Sequence, residues 1–237
     1  AKPDARRFVG DPACGTDRCA GAMTDHEKAD AQARDFFDGL WRKGDPWDLE
    51  AHPFELAKYE AQLALLDADR GPDRRYGPAL EIGCGAGAFT RRLASRCESV
   101  VGLDVAEPAI ALAKVRTSSP NVEYLRENVM QWREGLAGPW DLVVCAETIC
   151  YLGWLYPFFD VAWLAHCIHE GTRPGGRLLL ANTCGGVEDY LLLPWLIRTY
   201  HDLFRNVGFV VLHDTVFRGE KNGAEIEAMI TLFERSA

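Results

Sequence analysis

Clustered positive charge is missing from this chain. Among its 237 residues, 26 Lys and Arg stand against 35 Asp and Glu, for a formal net charge of −9. Proteins that grip a phosphate backbone concentrate cations on a stripe or patch, so no nucleic-acid partner is expected. Long apolar runs are missing too. The most apolar stretch, Ile149 to Phe159, is too short to cross a bilayer and is broken by Gly153 and Pro157. No apolar h-region follows Ala1-Lys2-Pro3-Asp4, so neither a signal peptide nor a membrane partner is expected, and the reading is cytoplasmic. Metal-ligand groupings are equally sparse. Cys14 and Cys19 have no second ligand pair beside them, and His166 and His169, one helical turn apart, have no carboxylate companion at metal spacing. The histidine pair also suits a helix C-terminus, where positive charge is favoured. No metal is expected. Cys84, Cys97, Cys145, Cys150, Cys167 and Cys184 fall inside expected elements and read as small buried hydrophobes.

What is present is ample core material. A 48% hydrophobic content suits one globular domain with additions. Three segments are expected: a leader over 1–23, two amphipathic helices over 24–71, and an α/β core over 72–237. The core is organised around Ala79-Leu80-Glu81-Ile82-Gly83-Cys84-Gly85-Ala86-Gly87-Ala88-Phe89. It reads as a buried strand, a glycine turn and the start of a helix carrying Leu93, Ala94 and Cys97. Gly83, Gly85 and Gly87 strip Cβ atoms from one edge of the turn, which lets a ligand approach the backbone. The helix that follows aims free N–H groups at whatever lies there.

Gly83-x-Gly85-x-x-Ala88 formally fits a dinucleotide fingerprint. Glu81 opposes that reading, because its carboxylate would repel a pyrophosphate and attract a cationic or ammonium-bearing ligand. Val100 to Leu103 is a second buried strand, closed by Asp104 about 20 residues past the glycines, where a nucleotide fold places the acid that accepts ribose hydroxyls. Asp104 could also cap the helix beginning near Pro108. Alternate glycines behind an acidic residue, followed by Asp104, resemble motif I and its partner acid in the class I S-adenosylmethionine-dependent methyltransferases. The resemblance implies a Rossmann-like α/β fold: a seven-stranded, mostly parallel sheet with an antiparallel last strand. It implies S-adenosylmethionine as cofactor and S-adenosylhomocysteine as product. The cofactor would be held by Glu81, Gly83, Cys84, Gly85, Gly87, Asp104, Val105, Val129 and Ala146. An acidic residue of the family accepts the adenine amino group; Asn128 stands at that position, with an amide oxygen able to accept the same bond. Glu127 is the alternative, and an Asx turn by Asn128 the structural one.

Ahead of the core, Thr24-Asp25-His26-Glu27 is a capping box for a helix with Ala33, Phe36, Phe37, Leu40 and Trp41 on one face. Gly44 ends it. Pro53 starts a second helix through Leu56, Ala57, Leu63, Leu65 and Leu66. The two either cover one end of the sheet or form a lid over the cofactor, with Trp47 and Tyr59 as walls. Gly44-Asp45-Pro46-Trp47 and His52-Pro53-Phe54-Glu55, leading into the glycines, resemble the nodulation-type N-methyltransferases, which methylate an amine on a chitooligosaccharide. That likeness runs from about Phe36 to Gly176.

Beyond Asp104, Glu107-Pro108 opens a helix with Ile110, Ala111 and Val115, and Val122 to Leu125 forms a third strand. Asp141 to Cys145 is a fourth strand, and Pro157 to His169 a long apolar helix. Pro174-Gly175-Gly176 is a turn into a fifth strand from Arg177 to Ala181. Leu191 to Ile197 could line an acceptor pocket or a homodimer surface. A terminal hairpin pairs 208–212 with 228–233. Ligands of such sheets bind at the carboxyl ends of the strands, which puts Glu147 and Tyr151 near the reacting centre. An alkyl amine must lose its proton before it attacks a methyl group. Glu147 is the first candidate base, then Tyr151 and His213. The function expected is methylation of a small-molecule acceptor, an amino sugar or related amine. The alternatives are O-methylation of a phenol or sugar hydroxyl, a non-catalytic S-adenosylmethionine-binding partner, and an NAD-dependent oxidoreductase.

Overall fold

The computed structural model describes residues 23–71, 74–132, 136–186 and 189–236. Apart from Met23 the expected leader, with Cys14 and Cys19, falls outside them. Seven strands form one sheet in the order β3-β2-β1-β4-β5-β7-β6. They are β1 (Tyr76–Ile82), β2 (Cys97–Asp104), β3 (Val122–Arg126), β4 (Trp140–Ala146), β5 (Thr172–Gly185), β6 (Phe209–Lys221) and β7 (Ala224–Arg235). The first five run parallel, and β7 is antiparallel to both of its neighbours, as expected. Among the described residues seven α-helices flank the sheet: α1 (Asp25–Trp41), α2 (Pro53–Arg70), α3 (Thr90–Leu93), α4 (Glu107–Arg116), α5 (Ile149–Leu155), α6 (Phe158–Gly171) and α7 (Pro194–Val207).

The central strands are apolar on both faces because both are covered. Leu80, Ile82, Val143, Cys145, Leu178 and Leu180 pack with Val161, Leu164 and Ile168 of α6 and Phe204 of α7. The alternate residues Ala79, Leu142, Val144, Leu179 and Ala181 pack on the other side with Tyr59, Leu63 and Leu66 of α2.

Several local expectations are corrected. The helix after the glycine turn is one turn long, and Cys97 lies on β2, because Tyr76 pairs with Cys97 at the first rung of the parallel ladder. Val115 is 84% exposed; α4 buries Ala109, Ile110 and Ala113 instead. Phe36 is exposed, against Trp154 at its edge, while Ala33 and Trp41 are buried. Pro174-Gly175-Gly176 is no turn before a strand. It is a bulge inside β5, which lets Thr172 pair with Trp140 and Arg177 with Leu142. Asn182 to Gly185 extend β5 beyond its expected end at Ala181, and α7 begins at Pro194. The terminal hairpin is longer, closed by a tight Asn222-Gly223 turn with φ of 54° and 80°.

The largest correction concerns α2. Its buried face is Phe54, Glu55, Lys58, Tyr59, Gln62, Leu63 and Leu66, not the stripe through Leu56 and Ala57. Its C-terminal half is tied to the N-terminal ends of the strands. Arg70 meets buried Asp141 at 2.6 Å, Arg177 meets Asp69 at 3.0 Å, and the Tyr76 hydroxyl donates to Asp69 at 3.0 Å. Asp141 also accepts from the Gly77 amide at 2.6 Å and pairs with Arg173 at 2.7 Å. The N-terminal half of α2 therefore lies over the opposite ends of the strands. Removing the Asp141 carboxylate would strand two guanidinium groups and a backbone N–H at a buried junction. Asp141→Ala is expected to cost about 3–5 kcal/mol, read as a lower urea midpoint with an unchanged slope.

Candidate active site

At the carboxyl ends of β1 to β5 lies a cavity of about 510 Å³. Its lining follows the strand order. Asn128 and Val129 follow β3, Asp104 and Val105 end β2, Glu81, Gly83, Cys84 and Gly85 end β1, Ala146 and Glu147 end β4, and Thr183 lies on β5. Helices α1 and α2 and the loop between them supply Phe37, Trp41, Trp47, Phe54 and Tyr59 as aromatic walls. The sequence thus brings together most of its expected site residues.

The glycine turn runs through left-handed backbone, with φ of 76° at Gly83, 52° at Gly85 and 75° at Gly87. The reasons for the glycines differ. A Cβ on Gly83 would lie 2.1 Å from Thr148 Oγ1, which itself donates to the Ala146 and Ile82 carbonyls and so joins the ends of β4 and β1. Gly87 is not in the cavity wall; a Cβ there would strike the Tyr124 hydroxyl at 2.2 Å. Its glycine serves packing, which corrects the expectation of ligand contact. Asp104 accepts from the Gly85 amide at 2.9 Å and the Ala106 amide at 2.8 Å, one on each oxygen. It therefore braces the turn, and Ala106, not Asp104, occupies the cap position of α4. With the Val105 amide as a third backbone donor, the carboxylate still keeps acceptor capacity. Burial pushes the Asp104 carboxyl above its usual range, against the pull of those backbone N–H groups.

Glu81 is 4% exposed, and its carboxylate accepts from the Thr90 hydroxyl at 2.5 Å. Burial raises its pKa to about 8. Asn128 makes the Asx arrangement: its side-chain oxygen accepts from the Met130 amide at 3.0 Å, while its NH₂ donates to Asp30 and Tyr156, each at 2.7 Å. One lone pair remains on that oxygen. Burial drives the Cys84 thiol well up, which leaves it an inert wall.

Glu147 carries the main surprise. It sits in left-handed backbone, φ 53°, a conformation that costs a non-glycine residue roughly 1–3 kcal/mol. Its carboxylate accepts from the Thr183 amide at 2.9 Å and the Thr183 hydroxyl at 3.0 Å. It also takes Lys58 Nζ at 2.6 Å. Lys58 is 2% exposed and meets Glu55 at 2.8 Å; Glu55 meets Lys221 at 2.6 Å; Lys221 donates to the Trp47 carbonyl at 3.0 Å. Burial alone would lower the Lys58 pKa, but the Glu147 and Glu55 carboxylates outweigh it and keep the ammonium charged. Burial likewise opposes ionisation of Glu55, and Lys58 and Lys221 reverse that. This line of alternating charges links α2, the β4 end and the β6–β7 hairpin.

Thr183 and Lys58 both donate to the Glu147 carboxylate, so the group expected as general base is held inside an ion-pair and hydrogen-bond network. Burial drives the Tyr151 phenol up, so it stays protonated. His213 is exposed on β6, outside the cavity, because the strand's alternation at the Val211/His213 bulge turns it to solvent. Of the apolar 191–197 stretch, Leu192 reaches the cavity, Ile197 is buried and Trp195 is 67% exposed.

The sequence reading missed Lys58, Glu55, Gln62, Thr183 and Lys221. The available signal was Glu55, Lys58 and Gln62 at helical spacing between apolar residues of α2. Lys58→Met should leave buried Glu55 with Lys221 alone and Glu147 with Thr183 alone, at a cost of about 3–5 kcal/mol at pH 7.5. The loss should shrink toward pH 5, because Lys58 helps hold the Glu55 carboxyl below its usual range and burial pushes it up once Lys58 is gone. Urea unfolding of both proteins at the two pH values checks this.

The family model of nodulation protein S matches residues 29–155. Nodulation protein S of Rhizobium tropici is 35% identical over 142 residues, 58% of this chain and 55% of that protein. A ubiquinone biosynthesis O-methyltransferase of Pseudomonas aeruginosa is 30% identical over 144 residues, 55% of this chain and 60% of that protein. The chain thus aligns with little more than half the length of these curated relatives. Among solved structures, N-methyltransferase NodS of Bradyrhizobium japonicum, in complex with S-adenosyl-L-homocysteine, superposes with a TM-score of 0.68 at 22% identity, over 84% of this chain and 97% of that one. At that identity the likeness speaks for the fold. With the family model covering more than half of it, the chain belongs to the nodulation protein S family and has the class I methyltransferase fold.

Proposed function

We propose that this protein is an S-adenosylmethionine-dependent N-methyltransferase for a small amine. The observation that carries the choice of amine is the makeup of the cavity wall. It contains a fixed carboxylate, Glu147, and, among the described residues, no histidine.

The residues fit the cofactor. Asp104 lines the cavity with acceptor capacity left for a ribose hydroxyl, and Val129 and Asn128 flank the space beyond it for adenine. Glu81 offers a carboxyl to an ammonium. Bound S-adenosylmethionine supplies an electrophilic methyl group on a sulfonium centre. The chain's share is to hold an acceptor in line with that methyl and keep water away, worth about 7–11 kcal/mol in favourable cases. Phe37, Trp47, Phe54 and Tyr151 provide the dry wall, and α1 with α2 serve as the lid. As methyl transfers, positive charge moves from sulfur to the acceptor nitrogen. Glu147, locked by Lys58 and Thr183, sits where it can stabilise that charge. A hydroxyl acceptor would instead need a base to take its proton during attack, and among the described residues the cavity wall offers no histidine for that. An amine needs only to arrive neutral. An amino sugar is the first acceptor class to try.

A mass-spectrometric assay with a mixed panel of amino sugars, hydroxy sugars and phenols tests the reading. Transfer to free amines, with none to N-acetylated or hydroxyl acceptors, is expected; transfer to hydroxyls alone would overturn it. For an amine acceptor, kcat/KM should climb with pH toward the amine's own pKa. Glu147→Gln should lower kcat/KM roughly 100-fold, the weight of opposite charges about 6 Å apart at an effective dielectric near 20, without changing the shape of that profile. A general base would instead remove an inflection.

Glu81 supplies a second check. Its carboxyl is neutral at pH 7 in the empty cavity, and a ligand ammonium requires the carboxylate. S-adenosylhomocysteine binding should therefore release about one proton at pH 7 and tighten as pH rises toward about 8. Titration calorimetry in buffers of different ionisation enthalpy measures this, and Glu81→Gln should abolish the effect.

A further inference from the structure

The least explained group in the cavity is Gln62. It is 0% exposed and belongs to the cavity wall, yet neither its side-chain nitrogen nor its side-chain oxygen has a hydrogen-bond partner. A buried primary amide without partners forfeits its hydration with no return. Such a group persists where a ligand completes it.

Its position narrows the ligand. Gln62 lies one turn past Lys58 along α2, toward the end of the helix anchored at the starts of β1 and β4. Of the lining residues Asn222 is exposed and Trp47 and Lys221 are half-buried, which marks the rim, while fully buried Gln62 marks the floor. The neighbouring Tyr59 stacks on Phe89 at 5.2 Å, just after the glycine turn. The same face of the sheet carries Ala79 and Val144 under α2 and, in alternation with Ala79, Glu81. The floor therefore offers a carboxyl, a phenol and an amide beside β1 and β4.

Strand order then separates the ends of the cofactor. With ribose at Asp104 on β2 and adenine beyond it toward β3, the remainder must extend over β1 toward β4. An acceptor, entering from the rim, stays on the Glu147 and Thr183 side. The part that reaches the floor is the part carrying both an ammonium and a carboxylate.

Building on the proposed cofactor site, we propose that Gln62 reads the α-amino-acid end of the cofactor, its side-chain NH₂ donating to the α-carboxylate while Glu81 takes the ammonium. The Tyr59 hydroxyl, held protonated by its surroundings, is a second donor beside it. Gln62 is a binding residue and takes no part in proton or methyl transfer.

Two probes that share adenosine and sulfur but differ in the amino-acid end make the test. S-adenosylhomocysteine has that end; 5′-deoxy-5′-methylthioadenosine lacks it. Gln62→Met should weaken S-adenosylhomocysteine about 10- to 100-fold, the effect of losing a hydrogen bond to a charged group. It should change methylthioadenosine affinity by less than twofold. The ligand-free melting temperature should stay or rise, because the orphaned amide is gone. If the methionine variant fails to fold, Gln62→Glu keeps the shape and should weaken S-adenosylhomocysteine at least tenfold by repelling its carboxylate, again sparing methylthioadenosine. Equal losses for both probes, unchanged binding of both, or a lower ligand-free melting temperature would each overturn the assignment. Failure of the unaltered protein to bind S-adenosylhomocysteine would instead overturn the cofactor reading beneath it.

Discussion

A lysine ammonium buried between two carboxylates is the contact on which the acceptor side of this cavity depends. Lys58, 2% exposed, pairs with Glu147 and Glu55. A buried charge survives only with compensation as close as this. Compensation here comes from distant parts of the chain, so the ions act as struts: α2, the β4 end and the hairpin carrying Lys221 are drawn together over the open ends of the strands. The left-handed backbone at Glu147 is held against its local preference by the same contacts, together with its amide bond to the Ala181 carbonyl.

The sheet provides the other half of the arrangement. Parallel strands all present their carboxyl ends on one side, and the crevice there is read in strand order. The glycine turn after β1 stands between the brace at Asp104 and the strut at Glu147. One side of the cavity is thereby suited to a nucleoside with an ammonium-bearing tail, the other to an acceptor kept apart from water. The charge lines differ as well. Burial raises the Glu81 carboxyl pKa to about 8, whereas Glu147 is paired with a buried ammonium. Two glutamates at adjacent strand ends thus acquire different chemistry from their surroundings.

How much of this was legible in the linear chain can be argued residue by residue. That Gly83, Gly85, Asp104 and Glu81 share one cavity wall was legible, because glycine spacing and strand ends are local signals. Glu147 was expected in the same cavity and lines it, but its contact with Lys58 was not legible, since that partner is 89 residues away. Gly87 was assigned to the ligand although its neighbour is Tyr124, a contact no spacing rule reports. His213 was drawn in as a titratable group, and a single bulge in β6 keeps it out.

By itself the sequence determined the strand cores, the helix starts at Thr24 and Pro53, and the glycine turn with its acids. These depend on local spacing, on apolar periodicity and on the stereochemistry of glycine and proline, all of which act over a few residues. Only the tertiary structure decided which face of α2 is buried, which ion pairs close, and which partners surround each carboxylate. Those outcomes rest on burial and on charges brought near from far along the chain, and neither exists until the chain has folded.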